Sequence, residues 1–446
     1  MRLTILGGGG FRVPLVYSAL LRDVSGERVD HVMLYDVDAE RLAAIRQVLT
    51  QMAEDQEDPP QVSSSTDLDE ALDSADFVFS AIRVGGLDDR TADEQVALDL
   101  GVLGQETIGP GGVSFGLRTI PVAVHVASRV AAVCPDAWVI NFTNPAGMIT
   151  EAMQQVLGDR VVGICDSPVA LGRRAARALG IDPAATLPDY LGLNHLGWLR
   201  GLYHQGRDVL PDLLSADDAL AGIEEVQLFG TDWVRALGAL PNEYLYYFYY
   251  TREAVAGIRA QPETRGQFLL RQQAGFYEQV TRCPDAALSE WQRVRRERDE
   301  TYMADVRSSA DDARDEADVE GGGYQEVALA FMGAIIRGDQ TTMILNVCNG
   351  STIASMPDAA VVEVPCMVDA NGPHPLASAP ANGHQLGLMQ QVKAVEQLTI
   401  EAALSGSASV AVKALALHPL VDSVSTARAL LDAYRARIPG VATAIQ

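Results

Sequence analysis

Three short segments between residues 135 and 195 carry side chains that could do chemistry. Asn144 stands in NFTNP, Cys165 and Asp166 are adjacent in VVGICDSP, and His195 follows an asparagine in GLNHLGW. An amide binds polar groups, a thiolate and an imidazole together suit a divalent metal, and a carboxyl group can transfer a proton. Because these segments lie downstream of a glycine-rich nucleotide signature, we predict that a metal and a nucleotide cofactor meet at one site.

The metal hypothesis competes with simpler interpretations of Cys165 and His195. A lone buried cysteine is most often a small core residue, a lone histidine is most often structural, and this wide spacing matches no regular zinc motif. Each residue nevertheless follows a strand-like apolar segment, so both could emerge at the edge of a sheet. Two protein ligands would leave coordination positions open for the hydroxyl groups of a substrate, as a catalytic metal requires.

A glycine-rich turn follows the first apolar segment, LTIL, and an acid ends the second, HVMLYD. Glycines let the backbone approach a pyrophosphate, the next helix N-terminus favours its charge, and the acid hydrogen-bonds the adenosine ribose. That carboxylate would repel a 2′-phosphate, so we expect NAD rather than NADP. The predicted cofactor-binding residues are Gly7, Gly8, Gly9, Gly10, Phe11 and Asp36. The third glycine of the fingerprint is replaced by Val13-Pro14, so a plain strand-to-helix turn is the alternative.

Alternating strands and helices are predicted to position these residues in the first half of the chain. LTILG, HVMLYDVD, DFVFSAIRVGG and AWVINFTNP have the pattern of strands, and VPLVYSALLRD and AERLAAIRQVLTQMAED have helical spacing. The alternation predicts an α/β fold with a Rossmann-type, doubly wound parallel sheet. We place a domain boundary near residue 190, with an NAD-binding domain at residues 1–190 and a second, mixed α/β domain for substrate and metal at residues 191–446.

The second half is less regular. Residues 265–298 and 301–316 are predicted to form exposed, charged helices, and EGGGYQEVALAFMGAII is predicted to form a buried one. VVEVPCMVDANGPHPL indicates a strand and a turn, and LMQQVKAVEQLTIEAALSG indicates a helix near the C-terminus.

Composition argues against several classes of protein. The 446 residues carry a formal charge of −25, which repels polyanions, so we expect no nucleic-acid partner. We find no signal-peptide pattern and no apolar run near the roughly 20 residues of a membrane helix. The five cysteines are odd in number and scattered, which does not indicate a disulfide framework. We therefore expect a cytoplasmic protein without membrane contact.

The ordered motifs resemble those of glycoside hydrolase family 4, the NAD- and metal-dependent glycosidases. The resemblance spans nearly the whole chain and is strongest to the 6-phospho-beta-glucosidase branch. The segments that carry it are LTILGGGG, RVGGLDDRTADEQ, GQETIGPGG, PDAWVINFTNPAGMITEA, VVGICDSP, GLNHLGW, LPNEYLYYFYY and EGGGYQEVA. The resemblance implies an architecture like that of lactate and malate dehydrogenases.

The resemblance also implies a chemistry. A 6-phospho-beta-glucoside, such as cellobiose 6-phosphate, would be oxidised at C3 by NAD⁺, lose its C2 proton and its aglycone, add water at C1 and be reduced again at C3. A divalent metal, most often manganese in this family, would bind the sugar oxygens. Family 4 is a known exception to the two-carboxylate mechanism of glycosidases. The resemblance further implies a homo-oligomer, either a dimer or a tetramer.

By the same resemblance, four residues take roles at the reacting carbons. Cys165 and His195 match the metal ligands, and Tyr244 matches the base that removes the C2 proton. A phenol with a pKa near 10 needs a nearby cation to act as a base at neutral pH. Asp166 matches the proton donor to the leaving group, and a cap for a helix beginning at Pro168 is the alternative. An aspartate there is typical of the phospho-alpha-glucosidases, whereas many of the beta branch carry asparagine.

The phosphate site implied by the resemblance consists of Arg90, Asn144 and Arg265, assisted by Arg83. Guanidinium groups bind phosphate through paired hydrogen bonds and reverse the unfavourable field of an acidic protein. In the GQETIGPGG segment, Gln105 and Glu106 are candidates for contacts with substrate hydroxyls.

Three other functions remain open at the level of sequence. One is a 6-phospho-alpha-glucosidase of the same family, the second is an NAD-dependent dehydrogenase of the lactate/malate type, and the third is a nucleotide-binding sensor without catalysis. The dehydrogenase hypothesis predicts an Arg-His catalytic pair in the substrate domain, and the set of Cys165, His195 and Tyr244 does not supply that pair.

Overall fold

The structure is a computed structural model that describes residues 1–301 and 323–446. Its strands form a single 13-stranded sheet. The strands are β1 (Arg2–Leu6), β2 (His31–Tyr35), β3 (Gln61–Ser65), β4 (Phe77–Ser80), β5 (Trp138–Asn141), β6 (Val161–Gly163), β7 (Leu187–Leu193), β8 (Leu196–His204), β9 (Arg207–Asp208), β10 (Leu240–Pro241), β11 (Thr341–Cys348), β12 (Val361–Asp369) and β13 (Gly372–Pro375). Their order across the sheet is β10-β8-β7-β12-β11-β6-β5-β4-β1-β2-β3, with β13 beside β12 and β9 beside β8.

Helices cover this sheet, and short 3-10 turns join some of the elements. The helices of the described residues are α1 (Val13–Arg22), α2 (Ala39–Ala53), α3 (Leu68–Leu72), α4 (Gly86–Asp99), α5 (Pro110–Val133), α6 (Ala146–Leu157), α7 (Ser167–Ala178), α8 (Leu210–Ser215), α9 (Asp217–Ala221), α10 (Glu224–Phe229), α11 (Thr231–Leu237), α12 (Tyr246–Tyr249), α13 (Thr251–Ala260), α14 (Arg265–Arg282), α15 (Ala287–Glu300), α16 (Tyr324–Arg337), α17 (Gly383–Ser405), α18 (Ala408–Leu417), α19 (Val424–Arg437) and α20 (Pro439–Ala444).

The first half of the sheet has the strand order of a dinucleotide-binding fold. Strands β3, β2, β1, β4, β5 and β6 lie side by side and run parallel. The strands β4 and β5 are buried along their whole length, because a parallel sheet is covered by helices on both faces. The strand order reverses between β1 and β4, and ligands bind in the crevice at such a reversal. The prediction of a Rossmann-type sheet is confirmed.

The edge strand β3 is absent from the sequence prediction. Its sequence QVSSS lacks the apolar alternation of a strand, and its residues are partly or fully exposed. Backbone pairing with β2 holds it in place. Two predicted strands end earlier than expected, at Tyr35 and Asn141, so that Asp36 and Asn144 lie in the loops beyond the strands.

Antiparallel strands extend the sheet into the second half of the chain. Asn346 of β11 pairs with Gly163 of β6, and Glu363 of β12 pairs with Gly192 of β7. A Cβ atom at Gly163 would lie 2.5 Å from the hydroxyl oxygen of Thr150, so this junction requires glycine. The two late strands β11 and β12 therefore separate β6 from β7 and join the two halves of the molecule.

The charged region at residues 265–298 forms two helices, α14 and α15, separated by the 3-10 turn Pro284–Ala286. The prediction of exposed helices is only partly right, because α14 buries Leu269 and Phe276 on one face. The helix predicted at residues 301–316 lies, beyond its first residue, outside the described part of the chain.

Two apolar cores lie on the two faces of the sheet. Helices α1, α2, α7 and α16 pack on one face, and α5, α6, α18, α19 and α20 pack on the other. All five cysteines are free thiols, as the sequence predicts. Within the ranges that the structure describes, none of the helices has the length and apolarity needed to cross a membrane.

Candidate active site

One cavity of about 390 Å³ lies at the carboxyl ends of the parallel strands. The loops after β1, β2, β4, β5 and β6, the β7–β8 turn, the start of α14 and the end of α15 all contribute to its wall. The predicted site residues that line it are Gly7, Gly10, Phe11, Asp36, Arg90, Asn144, Cys165, Asp166, His195, Tyr244 and Arg265. Gly8 and Gly9 do not line it. The cavity also includes Arg83, Gln105 and Glu106.

Close backbone contacts shape the glycine-rich loop after β1. Gly7 has a left-handed φ of 81°, and a Cβ atom there would lie 2.5 Å from the carbonyl oxygen of Ala81. A Cβ atom at Gly8 would lie 2.7 Å from that of Leu34. The loop is therefore packed tightly between β2 and β4, and these glycines allow that packing.

The loop and Asp36 fit a dinucleotide. The Asp36 carboxylate accepts a hydrogen bond of 3.0 Å from the N–H of Gly9 and stands at the end of β2, where this fold binds an adenosine ribose. Among the described residues, the N–H of Phe11 has no acceptor, so it can donate to an anion just before α1. The sequence-predicted roles of Asp36 and Phe11 are thus compatible with the geometry.

Cys165 follows β6 and is buried in the cavity wall. Burial raises the pKa of its thiol well above the ordinary value, and the negative charges of Glu363 and Asp166 raise it further. A thiolate at this position therefore requires a cation that compensates for the lost hydration. A divalent metal would supply that charge.

His195 lies at the tip of the β7–β8 hairpin with a left-handed φ of 61°, which is unusual for a residue other than glycine. Its Nδ1 atom is 3.0 Å from the hydroxyl oxygen of Thr107, which leaves Nε2 as the ring nitrogen for a metal. Burial lowers the pKa of the imidazole to about 4, although Asp166 and Glu106 oppose this effect. The ring is therefore neutral at pH 7, which is the form that binds metals.

Cys165 and His195 thus offer one sulfur and one nitrogen ligand at the same cavity. The part of the chain that the structure describes contains no group of three or more His, Cys, Asp or Glu side chains able to hold a metal. A divalent cation held by two ligands would have open coordination positions for substrate oxygens. The donor set fits a catalytic metal better than a structural one.

Tyr244 belongs to the 3-10 helix Glu243–Leu245, and its ring stacks on the imidazole of His195. The ring centroids are 3.7 Å apart and the planes differ by 10°. Asn242 fixes the start of this turn, because its side chain accepts a hydrogen bond of 3.0 Å from the N–H of Tyr244. The guanidinium of Arg90 also interacts electrostatically with Tyr244. The phenol therefore lies beside a candidate metal ligand and a cation.

Asp166 occupies the N-cap position of α7 but does not act as its cap. Its side chain makes no capping hydrogen bond, and the helix begins at Ser167 rather than at Pro168. The carboxylate instead lines the cavity and interacts electrostatically with His195 and Cys165. The alternative role of Asp166 as a helix cap is therefore wrong in this structure.

Arg90 lies between two carboxylates. Its Nε–H donates to Glu94 at 2.9 Å, and its Nη1 is 2.8 Å from Glu106, which also pairs with Arg83. Burial alone would raise the pKa of Glu106, but the two guanidiniums outweigh burial and lower that pKa to about 2. Arg90 therefore reaches the cavity with much of its charge already balanced by carboxylates.

Arg265 lines the cavity and has a structural role that the sequence did not predict. Its guanidinium donates to the carbonyl oxygens of Thr301 at 3.2 Å and of Arg298 at 3.0 Å. These carbonyls end α15, so Arg265 ties the end of this helix to the start of α14.

Arg298 is a cavity residue that sequence reasoning missed. Loss of hydration lowers the pKa of its guanidinium well below the ordinary value, and the like charges of Arg12, Arg265 and Arg90 lower it further. The negative charge of the adjacent Asp299, which pairs with Arg295, partly opposes this lowering of the pKa, and none of the ion pairs among the described residues includes Arg298. An anion in the cavity would relieve this unfavourable charge. The run RVRRERDE was the available signal, but nothing in it distinguishes Arg298 from its neighbours.

Glu363 is a second residue that the sequence analysis did not select. Its carboxylate accepts hydrogen bonds from Asn346 at 2.8 Å and from Asn194 at 3.3 Å, next to His195. Burial raises its pKa to about 7, although these amide hydrogen bonds oppose the rise. An acid inside the apolar segment VVEVPC was the signal that could have identified it.

The fold and the site together define a class: a dinucleotide-binding enzyme with a candidate site for a divalent metal. Residues 2–181 match the family model described as family 4 glycosyl hydrolase, and residues 190–421 match the model of that family's C-terminal domain. The chain therefore belongs to glycoside hydrolase family 4, as the motif resemblance predicted.

Individual relatives cover almost the whole chain. A probable 6-phospho-beta-glucosidase of Bacillus subtilis is 30% identical to this chain, and the match covers 98% of this chain and 97% of the Bacillus protein. The 6-phospho-beta-glucosidase of Thermotoga maritima, solved with manganese, NAD⁺ and glucose 6-phosphate, is 26% identical, and each chain is covered to 100% with a TM-score of 0.82. A 6-phospho-alpha-glucosidase from gut microorganisms, solved with NAD and Mn²⁺, is 27% identical over 99% of this chain and 98% of that chain, with a TM-score of 0.80.

These comparisons agree with the predicted cofactors, NAD and a divalent metal such as manganese. They include both anomeric classes at similar identity, so they leave the alpha or beta preference open. A malate dehydrogenase from Plasmodium falciparum has a TM-score of 0.52 at 12% identity over 91% of this chain and 99% of that chain, and it shares the fold alone. The dehydrogenase alternative is therefore not favoured.

Proposed function

We propose that this protein hydrolyses 6-phospho-beta-glucosides, such as cellobiose 6-phosphate, to glucose 6-phosphate and an aglycone. One observation carries the proposal. A single cavity contains a dinucleotide-type loop, a thiol and an imidazole for a metal, a tyrosine stacked on that imidazole, and an arginine without a carboxylate partner among the described residues. In this proposal residues 1–190 bind NAD, and residues 191–446 form the domain for substrate and metal. The substrate side of the cavity takes His195, Tyr244, Arg265 and Arg298 from the second domain, and it takes Arg90, Asn144, Cys165 and Asp166 from the first.

Two side chains of this cavity would move protons. Tyr244 would remove the C2 proton of the sugar through its hydroxyl oxygen, beside the Arg90 guanidinium. Asp166 would donate a proton to the glycosidic oxygen of the departing aglycone. When bound, NAD⁺ supplies a reversible hydride acceptor, and a divalent cation at Cys165 and His195 supplies a Lewis acid for the sugar oxygens.

The 6-phosphate would bind at the arginine-rich end of the cavity. Loss of hydration and the nearby charges of Arg90 and Arg265 lower the pKa of the Arg298 guanidinium, so a bound anion would stabilise its charged form. Asn144 lines the same cavity and can donate an amide N–H to a phosphate oxygen. A phosphate would thus offset a cluster of positive charge in an otherwise acidic protein.

Replacing Arg298 with Ala should raise KM for a phosphorylated glucoside by about one to two decades with little change in kcat, because a charge-assisted contact is worth roughly 1.5–3 kcal/mol. Arg296→Ala is the matched control, since Arg296 is exposed on the same helix. Steady-state kinetics with 4-nitrophenyl 6-phospho-beta-glucoside measures the effect. Unchanged discrimination between phosphorylated and plain glucosides in Arg298→Ala would rule this phosphate site out.

The beta preference rests on motifs of the beta branch, RVGGLDDR and PNEYLYYFYY, whereas Asp166 is typical of the alpha branch. Incubation with the alpha- and beta-linked 4-nitrophenyl 6-phosphoglucosides tests the proposal. Faster release of nitrophenol from the beta anomer, without accumulation of NADH, supports it. Faster turnover of the alpha anomer would establish a 6-phospho-alpha-glucosidase instead. Steady production of NADH would point to a dehydrogenase. The absence of both nitrophenol release and NADH production would point to a nucleotide-binding sensor.

Asp166→Asn should damage substrates with alkyl aglycones far more than nitrophenyl ones. A nitrophenolate departs without a proton, whereas a basic alkoxide requires one, and general-acid catalysis is worth about two to four decades. The ratio of kcat/KM values for the two substrates in wild type and variant measures this effect. Equal losses for both aglycones would contradict the assignment of Asp166 as the proton donor.

A further inference from the structure

The segment GQETIGPGG, residues 104–112, forms a loop that folds back on the first turn of α5. A Cβ atom at Gly111 would lie 2.2 Å from the carbonyl oxygen of Gln105, and a Cβ atom at Gly112 would lie 2.3 Å from that of Thr107. A larger residue at either position would push the loop away from the helix. The two glycines therefore allow the close packing that places Gln105 and Thr107.

The side chain of Gln105 organises this loop from inside. Its Oε1 atom accepts hydrogen bonds from the N–H groups of Thr107 at 2.6 Å and of Ile108 at 2.7 Å. Because both donors are backbone N–H groups, the atom of the amide that receives them must be the oxygen rather than the nitrogen. The direction of the Gln105 amide is therefore determined by the backbone of its own loop.

The hydroxyl of Thr107 lies between this amide oxygen and His195. Its Oγ1 atom is 3.3 Å from Oε1 of Gln105 and 3.0 Å from Nδ1 of His195. Two oxygens at that distance attract each other only if a proton lies between them, and an amide oxygen carries no proton. The hydroxyl therefore donates its single proton to Gln105. It is left to accept a hydrogen bond from Nδ1–H of His195.

This arrangement selects one of the two neutral forms of the His195 ring. With the proton on Nδ1, the other ring nitrogen, Nε2, has a free lone pair. His195 lines the cavity whereas Thr107 does not, so the hydrogen bond holds the ring from the wall behind it. Stacking on Tyr244 holds the ring by one face as well. The lone pair of Nε2 is thus available to a metal before any metal is bound.

We infer that Thr107 and Gln105 are positioning residues of the metal site, because they hold His195 with its proton on Nδ1. This inference rests on the metal assignment of the proposed function and extends it to two residues that do not need to touch the metal. Without the hydroxyl of Thr107, the ring proton can move to Nε2 and must be displaced before a cation binds. Hydrogen-bond partners of a metal-binding histidine typically contribute about 10- to 100-fold to metal affinity.

The first measurement uses the protein without metal. Nitrogen nuclear magnetic resonance at about pH 8, above the ordinary pKa of histidine, distinguishes a ring nitrogen that carries a proton from one that does not. His195→Asn identifies the signals of His195 among those of the seven histidines. The wild type and Thr107→Ser should carry the proton on Nδ1, whereas Thr107→Val should shift it toward Nε2. A wild-type ring with its proton on Nε2 would overturn the inference.

The second measurement is isothermal titration of chelator-treated protein with manganese, in the absence of substrate. Thr107→Val should bind manganese about 10- to 100-fold more weakly, and Thr107→Ser, which keeps the hydroxyl, should stay within about threefold of the wild type. Thr4→Val is the matched control, because its buried hydroxyl also donates a hydrogen bond, to the carbonyl of Ala71 at 2.7 Å, but does not line the cavity. This control should keep the wild-type affinity for manganese.

The outcomes separate this inference from the proposed function. Thr107→Val with the ring protonation and manganese affinity of the wild type would overturn the inference. Equal losses of affinity in Thr107→Val and Thr107→Ser would also overturn it, because the hydroxyl would then not be the group that matters. Failure of the wild type to bind manganese, or wild-type affinity in His195→Asn, would instead refute the metal assignment of the proposed function.

Discussion

Replacing Cys165 with Ser is expected to abolish metal-dependent hydrolysis while the protein stays folded. Cys165 and His195 are the two metal ligands that the family resemblance assigns, and both line the cavity, so loss of either leaves too few of these donors to hold a divalent ion against water. Lewis-acid stabilisation is worth several kcal/mol, so the rate should fall by about a thousandfold or more. Manganese titration of chelator-treated protein, followed by both calorimetry and activity, measures the loss.

The choice of variants makes this experiment specific. Cys134→Ser replaces another buried free thiol that does not line the cavity, and it should keep wild-type affinity for manganese. At position 195 asparagine is a better replacement than alanine, because asparagine tolerates the left-handed φ of 61° that His195 adopts. Full activity of chelator-treated Cys165→Ser would show that this metal assignment is wrong.

The second large effect is expected at Tyr244. If the sugar passes through loss of its C2 proton, glucose 6-phosphate formed by the wild type in deuterium oxide should carry deuterium at C2. Removal of one hydroxyl in Tyr244→Phe should slow both hydrolysis and this exchange by about two to four decades, the range of general-base catalysis. The phenyl ring keeps its stacking on His195, so the fold of the turn should survive.

Nuclear magnetic resonance of the product gives the deuterium content at C2. Tyr250→Phe is the control, because Tyr250 belongs to the same aromatic segment but donates its hydroxyl to the carbonyl of Phe229, outside the cavity. Wild-type product without deuterium would refute the elimination mechanism. Exchange at the wild-type rate in Tyr244→Phe would assign the base to another residue.

Much of the cofactor half could be predicted because its signals are local. Apolar strands alternate with amphipathic helices, and Asp36, Asn144 and Cys165 lie in the loops just beyond the ends of β2, β5 and β6. Asp36, Asn144 and Cys165 therefore had to meet at one edge of a parallel sheet. The edge strand β3 was not predicted from the sequence because backbone pairing with β2 stabilises it, whereas its partly exposed side chains lack the pattern of a strand.

The arginines of the site show where sequence reasoning ends. A guanidinium has the same appearance in sequence whether it binds phosphate, pairs with a carboxylate or ties two helices together. Arg90 pairs with Glu94 and Glu106, and Arg265 holds the end of α15, both through contacts that only the tertiary fold creates. Arg298 differs from the exposed Arg296 because it lines the cavity among the like charges of Arg12, Arg265 and Arg90, which no local pattern records.

The position of β11 and β12 between β6 and β7 has a consequence for synthesis on the ribosome. When β7 emerges, its neighbour β12 does not yet exist, and β6 has no strand on its outer side until residue 348 has been translated. An open parallel edge is a template for pairing with other chains. We therefore expect the nascent chain to expose the edge of β6 during this interval. A gene truncated before β11 would yield a product that retains the open edge permanently and aggregates.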